Sequence, residues 1–385
     1  MAERKNRHIG WWPSVVLLVA LGVLFFGAAF SALNELPSVS EYRRSRLSEG
    51  IPFSLYEKLP NESYSEHLAA SAELNTENVD GIGEVMPVLV NENFFDVYNI
   101  FAGGSAITKE HVTEKLPAVV ISDEAAFRMS LDADVIGRSL TLWGKKFTVV
   151  GIYRKPDGFL KEMSSDMYER VYLPYTCYDG WEEVPVDTFA APKNTYSRKA
   201  LPLLGMTGTD TGFYIENDLI TKHDMIENIP RLFLSLIALI LAIVVIRILI
   251  GMSRDAARRL REAGQKEYPR AVLRQNGRYL ISRVLIALAL AAVPIALFIL
   301  FPPKLILPAS YIPYDNVFEI SHYVDTFINR TQLTNARLAL GNGYYQQLFS
   351  NALLMLAGLF VLLIILLVII GSRLIQYIRK RAKTD

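Results

Sequence analysis

The run LLMLAGLFVLLIILLVII, from Leu353 to Ile370, decides the fold class. It carries no charge and no proline, and Gly358 is its one glycine. As a helix it would cover roughly 27 Å, most of the hydrocarbon core of a bilayer. Three further blocks of this kind occur: Trp11 to Leu33 (WWPSVVLLVALGVLFFGAAFSAL), Ile229 to Gly251, and Tyr279 to Phe301. Hydrophobic residues make up 51% of the 385, only a little above a soluble average, because the excess is concentrated in these four blocks. The rest has the composition of ordinary globular protein.

The chain divides accordingly. We expect a cytoplasmic N-terminus at 1–10, a first span at 11–33, an outer segment at 34–228 and a second span at 229–251. A cytoplasmic loop at 252–278, a third span at 279–301 and an outer loop at 302–346 follow. A fourth span at 347–371 and a basic tail at 372–385 complete it. A cleaved signal peptide is the competing reading of the first block. That block is longer than a signal-peptide core, and no clean A-x-A site follows it, which favours an uncleaved span. Arg247 lies close to the basic end of the second span, where its head group can snorkel to the interface. Pro294 in the third span is a tolerated kink site.

Lysine and arginine in short loops set orientation. Arg4, Lys5 and Arg7 precede the first span. Gly251 to Arg283 holds nine basic residues against three acidic ones. Arg373, Arg379, Lys380, Arg381 and Lys383 follow the fourth span. All three regions are expected in the cytoplasm, with both termini inside. Segment 34–228 is then outside, and its 31 acidic residues outnumber its 18 basic ones.

About 195 residues suffice for a hydrophobic core. Asn34 to Glu77 is polar and is expected to continue the first span as a helical or irregular stalk. Strands are expected at Val85–Val90, Ala118–Ile121 and Val171–Pro174. Ser139–Leu142 and Lys146–Ile152 form a hairpin around Trp143-Gly144-Lys145. Ser122 can cap a helix opening with Asp123 and Glu124, two acids suited to a helix N-terminus. The outer segment is therefore α+β, and 179–212, rich in Pro, Gly, Thr and Asp, reads as looser.

Sites for chemistry are sparse. Cys177 is the one cysteine, which excludes an intrachain disulfide and any cysteine-based metal site. No phosphate loop, no G-x-S-x-G elbow and no H-E-x-x-H helix occurs. His8, His67, His111, His223 and His322 are scattered. Gly103-Gly104 reads as a structural outer turn. No enzyme activity, metal, cofactor or nucleic-acid partner is expected for this chain. After the second span, Ala256, Leu260 and Ala263 share one helical face while arginines take the rest. Gly264 can end that helix, and Pro269 suits the first turn of a second short one, Pro269 to Gln275.

Glu84 to Tyr153 resembles the periplasmic core domain of MacB-type, FtsX-like (type VII) ABC transporter permeases. Val85 to Ile100 (VMPVLVNENFFDVYNI), Pro117 to Phe127 (PAVVISDEAAF) and Val135 to Ile152 (VIGRSLTLWGKKFTVVGI) carry the likeness. The last is similar to that family's xIGxxIxIxGxxFxVVGI hairpin. Arg259-Leu-Arg-Glu-Ala-Gly264 is similar to its cytoplasmic RxREIG motif, with Ala263 where isoleucine is usual. The order of one helix, a large outer domain and three helices also fits. The chain departs from the pattern after Gly264, where QKEYPR (Gln265 to Arg270) stands, and in the length of its 302–346 loop.

The resemblance implies a non-catalytic permease subunit in a bacterial cytoplasmic membrane. ATP and magnesium would belong to a separate ATPase subunit, and a second permease copy or a homologue would complete the assembly. It implies that Arg259, Arg261, Glu262, Gly264, Gln265, Lys266, Tyr268, Pro269 and Arg270 form the surface that couples to the ATPase. Attraction to anionic lipid is the competing reading of those charges. It further implies that motion passes to the outer domain and serves extrusion of a peptide, antibiotic, lipid or lipoprotein. Two other readings are a cargo-free regulator of an extracellular partner such as a cell-wall hydrolase, gripped by the aromatic 302–346 loop, and a membrane-anchored receptor without an ATPase.

Overall fold

The computed structural model describes residues 12–45, 48–57, 67–130, 135–163, 168–192, 214–265, 268–304, 306, 319–326, 328 and 343–381. In chain order its elements begin with α1 (Trp12–Glu35), β1 (Val39–Arg44), α2 (Phe53–Tyr56), β2 (Ala69–Glu73), β3 (Glu77–Val79), β4 (Gly83–Val90) and α3 (Phe94–Tyr98). Next come β5 (Phe101–Gly104), α4 (Lys109–Thr113), β6 (Ala118–Ser122), α5 (Asp123–Met129), β7 (Ser139–Leu142), β8 (Lys145–Tyr153) and α6 (Gly158–Met163). The chain continues with β9 (Glu169–Pro174), β10 (Thr188–Pro192), β11 (Tyr214–Asp218), α7 (Leu219–Gly264), α8 (Pro269–Leu300) and α9 (Tyr344–Arg381). Four of these helices, α1, α7, α8 and α9, are long and apolar enough to cross a membrane. The α+β domain lies between the first and second of them.

The residues form two compact units. One gathers Met1–Phe26, Glu227–Ile306 and Leu359–Asp385; the other gathers Gly27–Ile226 and Leu307–Gly358. In the first, phenylalanines tie three helices together. The Phe233 ring of α7 lies 5.5 Å from Phe25 and 6.3 Å from Phe26, both on α1, and 6.1 Å from Phe360 on α9, all edge-on. Without a hydrophobic force between helices in lipid, such packing and polar clasps do the holding. One clasp is Asn228, whose Oδ1 accepts from Lys304 N at 2.9 Å while its Nδ2 donates to Lys304 O. Ser235 Oγ donates to Phe301 O at 2.9 Å. These bonds hold the turn after α8 against α7.

In the second unit, nine strands run in the order β11-β1-β10-β2-β4-β9-β6-β8-β5, with β3 added beside β4 and β7 beside β8. The pairs β4–β9 and β6–β8 are parallel and the rest antiparallel. Pro87 stands inside β4, a central strand, where proline is rare. It falls where β4 changes partner from β3 (Glu77↔Val85) to β2 (Glu73↔Val88), and its carbonyl accepts from Leu74 N at 2.9 Å. The β7–β8 hairpin turns on Trp143 and Gly144, both at positive φ (50° and 74°), the requirement of a tight two-residue turn. Ser122 caps α5, its Oγ accepting from Ala125 N at 2.9 Å.

Gly151, in the middle of the VVGI motif, is set by close approach. A Cβ there would lie 2.3 Å from Ser105 O and 2.9 Å from the Phe101 ring. Gly151→Ala is therefore expected to cost about 2–3 kcal/mol through overpacking. Gly144→Ala, with nothing near its Cβ, is expected to cost about 1 kcal/mol from its positive φ alone. Guanidinium unfolding of the full chain in nanodiscs checks the pair, and equal effects would refute the packing argument.

Three expectations need correction. Asn34–Glu77 is not a stalk: β1, β2 and the start of β3 lie in it, and β1 is an interior strand with five of six residues buried. Its polar residues find partners across the sheet, so no hydrophobic pattern marks it. Gly103-Gly104 ends strand β5 rather than making a turn, with Gly104 at φ +84° and packed on Val150 O and Gly151. The helix opening at Pro269 does not stop at Gln275 but runs unbroken into the third span. One glycine, Gly277, costs only about 1 kcal/mol, which the apolar turns beyond it outweigh.

Asp187, just before β10, illustrates a buried acid in this sheet. Arg44 Nη2 and Nε reach its Oδ1 at 2.9 and 3.0 Å, and Glu73 N donates to Oδ2 at 2.9 Å. Burial outweighs the guanidinium and pushes the acid up from 3.8 to about 6. A raised acid stabilises the fold fully below its unfolded value and loses that contribution as pH rises through its folded value. An amide in its place does not titrate. The stability difference between wild type and Asp187→Asn should therefore shrink by about 2 kcal/mol between pH 4.5 and pH 7.5. A difference that grows over that window in nanodisc unfolding would show that the Arg44 pair, not burial, governs the group.

Candidate functional site

Two places are candidates for a functional site. The first is the turn between α7 and α8. Met252, Ala256, Leu260 and Ala263 are half-buried along one side of α7, and Arg258, Arg259, Arg261 and Glu262 are exposed. Gly264 ends the helix, and Gln265 N still donates to Arg261 O at 3.2 Å. Tyr268 caps α8 with extended backbone, its carbonyl accepting from Ala271 N and Val272 N at 2.9 and 3.2 Å. Its ring is 86% exposed, an unusual setting for an aromatic side chain. Pro269 opens α8 and Arg270 lies in its first turn, while Lys266 falls outside the described residues.

One member of the expected set meets residues that the sequence did not single out. The Arg259 guanidinium sits 4.7 Å over the Tyr279 ring and Arg283 sits 5.0 Å from it. This stacking ties the last turns of α7 to the part of α8 where the third span begins. Only the pairing of two helices across a short turn could have signalled it.

The second place is where the chain enters and leaves the outer sheet. β1 follows α1 by a three-residue link, and β11 passes into α7 with no link at all. These two strands pair directly, Ser40↔Asp218 to Arg44↔Tyr214. Asp218 starts α7: its Oδ1 accepts from Thr221 N at 3.0 Å and its Oδ2 from Thr221 Oγ1 at 2.6 Å. His223 Nε2 lies 3.2 Å from Leu33 O, joining the first turns of α7 to the end of α1. Behind the strands, Glu41 is 2% exposed. It accepts from Tyr98 Oη at 3.0 Å and Asn217 Nδ2 at 3.3 Å, and Lys222 Nζ donates to Asn217 Oδ1 at 3.0 Å. Burial pushes the Glu41 acid above its ordinary range, against the pull of Arg43 and its two donors. None of Glu41, Arg43, Asp218 and Lys222 was singled out from sequence. Asp218, three residues before Thr221, was the one readable signal.

The shape and sequence of this outer unit can be compared with known proteins. Residues 14–198 match the family described as the MacB-like periplasmic core domain. The outer segment is a MacB-like periplasmic core domain. The stretch Glu84 to Tyr153 that carries the sequence resemblance falls inside that match. Among solved structures, the periplasmic region of MacB from Actinobacillus actinomycetemcomitans is similar at 15% identity and TM-score 0.39, over 50% of this chain and 93% of that one. The extracellular domain of the noncanonic ABC-type transporter YknZ from Gram-positive bacteria is similar at 11% identity and TM-score 0.35, over 46% and 99%. No curated protein matches the chain.

Other polar features of the MacB-like domain meet partners within it. Cys177 is half-buried, with its Sγ 3.0 Å from Leu116 O, and burial pushes its thiol up to about 11, so it stays protonated at neutral pH. Among the described residues no group of three His, Cys, Asp or Glu side chains is placed to hold a metal. An open cleft of about 440 Å³ is lined by α5, the loop after β8 and α6. Its charges pair among themselves: Lys155 Nζ meets Glu169 at 2.8 Å and Glu124 at 3.6 Å, and Lys161 pairs with Glu124. The 302–346 loop has an aromatic end, Tyr344-Tyr345. Tyr344 and Tyr345 begin α9 and pack inside the outer unit, against Arg170 and Tyr98. Most of that loop lies outside the described residues.

Proposed function

We propose that this chain is the permease subunit of an ABC system that passes ATP-driven motion of a separate ATPase to its outer domain. Its termini and the 252–278 loop lie in the cytoplasm in this reading. The observation that carries it is α7. This helix starts at the residue after β11 and runs 46 residues to Gly264, about 69 Å of helix axis. A helix is stiff along its axis, so displacement at the Gly264–Arg270 turn has a direct route to the strand pair β1–β11. The exposed Arg261, Glu262 and Tyr268 at that turn supply charge and an aromatic anchor, a composition suited to a protein partner. In this reading the motion serves extrusion of a peptide, antibiotic, lipid or lipoprotein.

The test is purification of the tagged chain in nanodiscs with mass spectrometry of its companions. An ABC ATPase at about one copy per permease is the expected result, lost on combined Glu262→Ala and Tyr268→Ala substitution. A folded preparation with no ATPase would overturn the reading and leave an anchored receptor.

A further inference from the structure

We propose that Gly343–Phe349 is a built-in docking segment, and that through it α9 acts as a third strut on the outer sheet beside α1 and α7. The first half stands on packing alone; the second rests on the motion-transmitting reading above.

The contacts are specific. The Tyr345 ring stacks on Tyr98 of α3, 5.2 Å between centres and 25° apart in plane. The Arg170 guanidinium of β9 lies 4.6 Å over the Tyr344 ring. Gly343 sits so close to Arg43 of β1 that a Cβ would come 2.7 Å from its Nη1. β1 and β9 are four places apart in the sheet, with β10, β2 and β4 between them. Thr188, Ser71 and Val88 of those intervening strands line the same recess. The segment therefore lies across the width of the sheet rather than on one strand.

The fit is tight. The free space left in the recess is about 40 Å³, room for a few water molecules at most. Tyr345 is 7% exposed, and Leu348, Phe349, Ala352 and Leu356 are fully buried. Their spacing of three and four puts them on one face, so α9 is held from its first turn through three more. α1 and α7 reach the sheet through the chain itself, whereas α9 reaches it by packing. A shift of α9 along its axis must either unstack Tyr345 from Tyr98 or carry α3 and β9 with it.

Hydrogen exchange on the full chain in nanodiscs tests the docking. Tyr345→Ala is expected to speed exchange about tenfold or more over Tyr344–Ser350 and α3, leave β6 and β8 as in wild type, and be repaired by Tyr345→Phe. Unchanged exchange at Tyr344–Ser350 would overturn the proposal. Equal acceleration in β6 and β8 would also overturn it, making Tyr345 a general core residue. The strut is tested in the complex with the co-purified ATPase. ATP should alter exchange in α3 and β9 of wild type, and Tyr345→Ala should lose that response with ATP turnover intact. A preserved response would remove α9 as a strut and leave the proposed function standing. If no ATPase co-purifies, the proposed function and the strut fail together, and the docking segment is judged by the exchange data alone.

Discussion

In the proposed complex with an ATPase, glycine at both Met225 and Glu227 is expected to cut ATP-driven change in the outer domain about tenfold or more while ATP turnover continues. Both positions lie in the first three turns of α7, and both are half-exposed, so little packing is lost. Two interior glycines cost about 2 kcal/mol of helix stability relative to alanine, a shift of order thirtyfold in local opening. The site is already weakened. Pro230 stands in the helix and has no N–H to offer the Ile226 carbonyl. The control is alanine at the same two positions. It removes the Glu227–Arg231 ion pair equally but keeps the helix. Exchange in β1 and β11, with and without ATP, reads the motion. If the glycine pair transmits as well as the alanine pair, α7 is not the rod and the carrying observation fails.

The parts of this fold that sequence made legible share one property: their signal is local. An uncharged run such as Leu353–Ile370 can only be satisfied by a helix in lipid, because every backbone polar group must bond within the segment. The β7–β8 hairpin and the Ser122 cap are likewise written in neighbouring residues. The parts that were not legible depend on distant partners. β1 reads Val-Ser-Glu-Tyr-Arg-Arg and shows no period of two. It is a strand because Asp187, Thr188, Tyr98 and Glu216 satisfy its side chains from 57 to 174 residues away. β2, β10 and β11 are short and rich in alanine or polar residues for the same reason. At the turn between α7 and α8, Gly264 and Pro269 announced the helix ends, whereas the stacking of Arg259 and Arg283 on Tyr279 appears only once the two helices are side by side.

Glu41→Ala is expected to lower outer-domain stability by about 3–5 kcal/mol, because it strips a buried network of its acceptor. Tyr98 Oη and Asn217 Nδ2 lose their partner, and Arg43, 6% exposed, keeps its bond to Thr188 Oγ1 at 3.2 Å but loses the charge beside it. The loss is not the worth of an ion pair, since two buried charges repay their desolvation poorly. Removing both charges should therefore do less harm than removing one. Glu41→Leu with Arg43→Met is expected to recover most of the deficit, and Glu41→Gln to cost about 1 kcal/mol, since it keeps an acceptor for Tyr98. The pH dependence has a definite sign. Burial raises the Glu41 acid, so its contribution is full below 4.5 and is lost as pH rises through the folded value. Glu41→Gln, neutral throughout, should gain on wild type as pH rises. Unfolding of the four chains in nanodiscs at two pH values decides it. A double variant as unstable as Glu41→Ala would mean that the glutamate shapes the packing of β1 and β11 itself. The network would then be a steric keystone between the strands that enter and leave the sheet, not an electrostatic one.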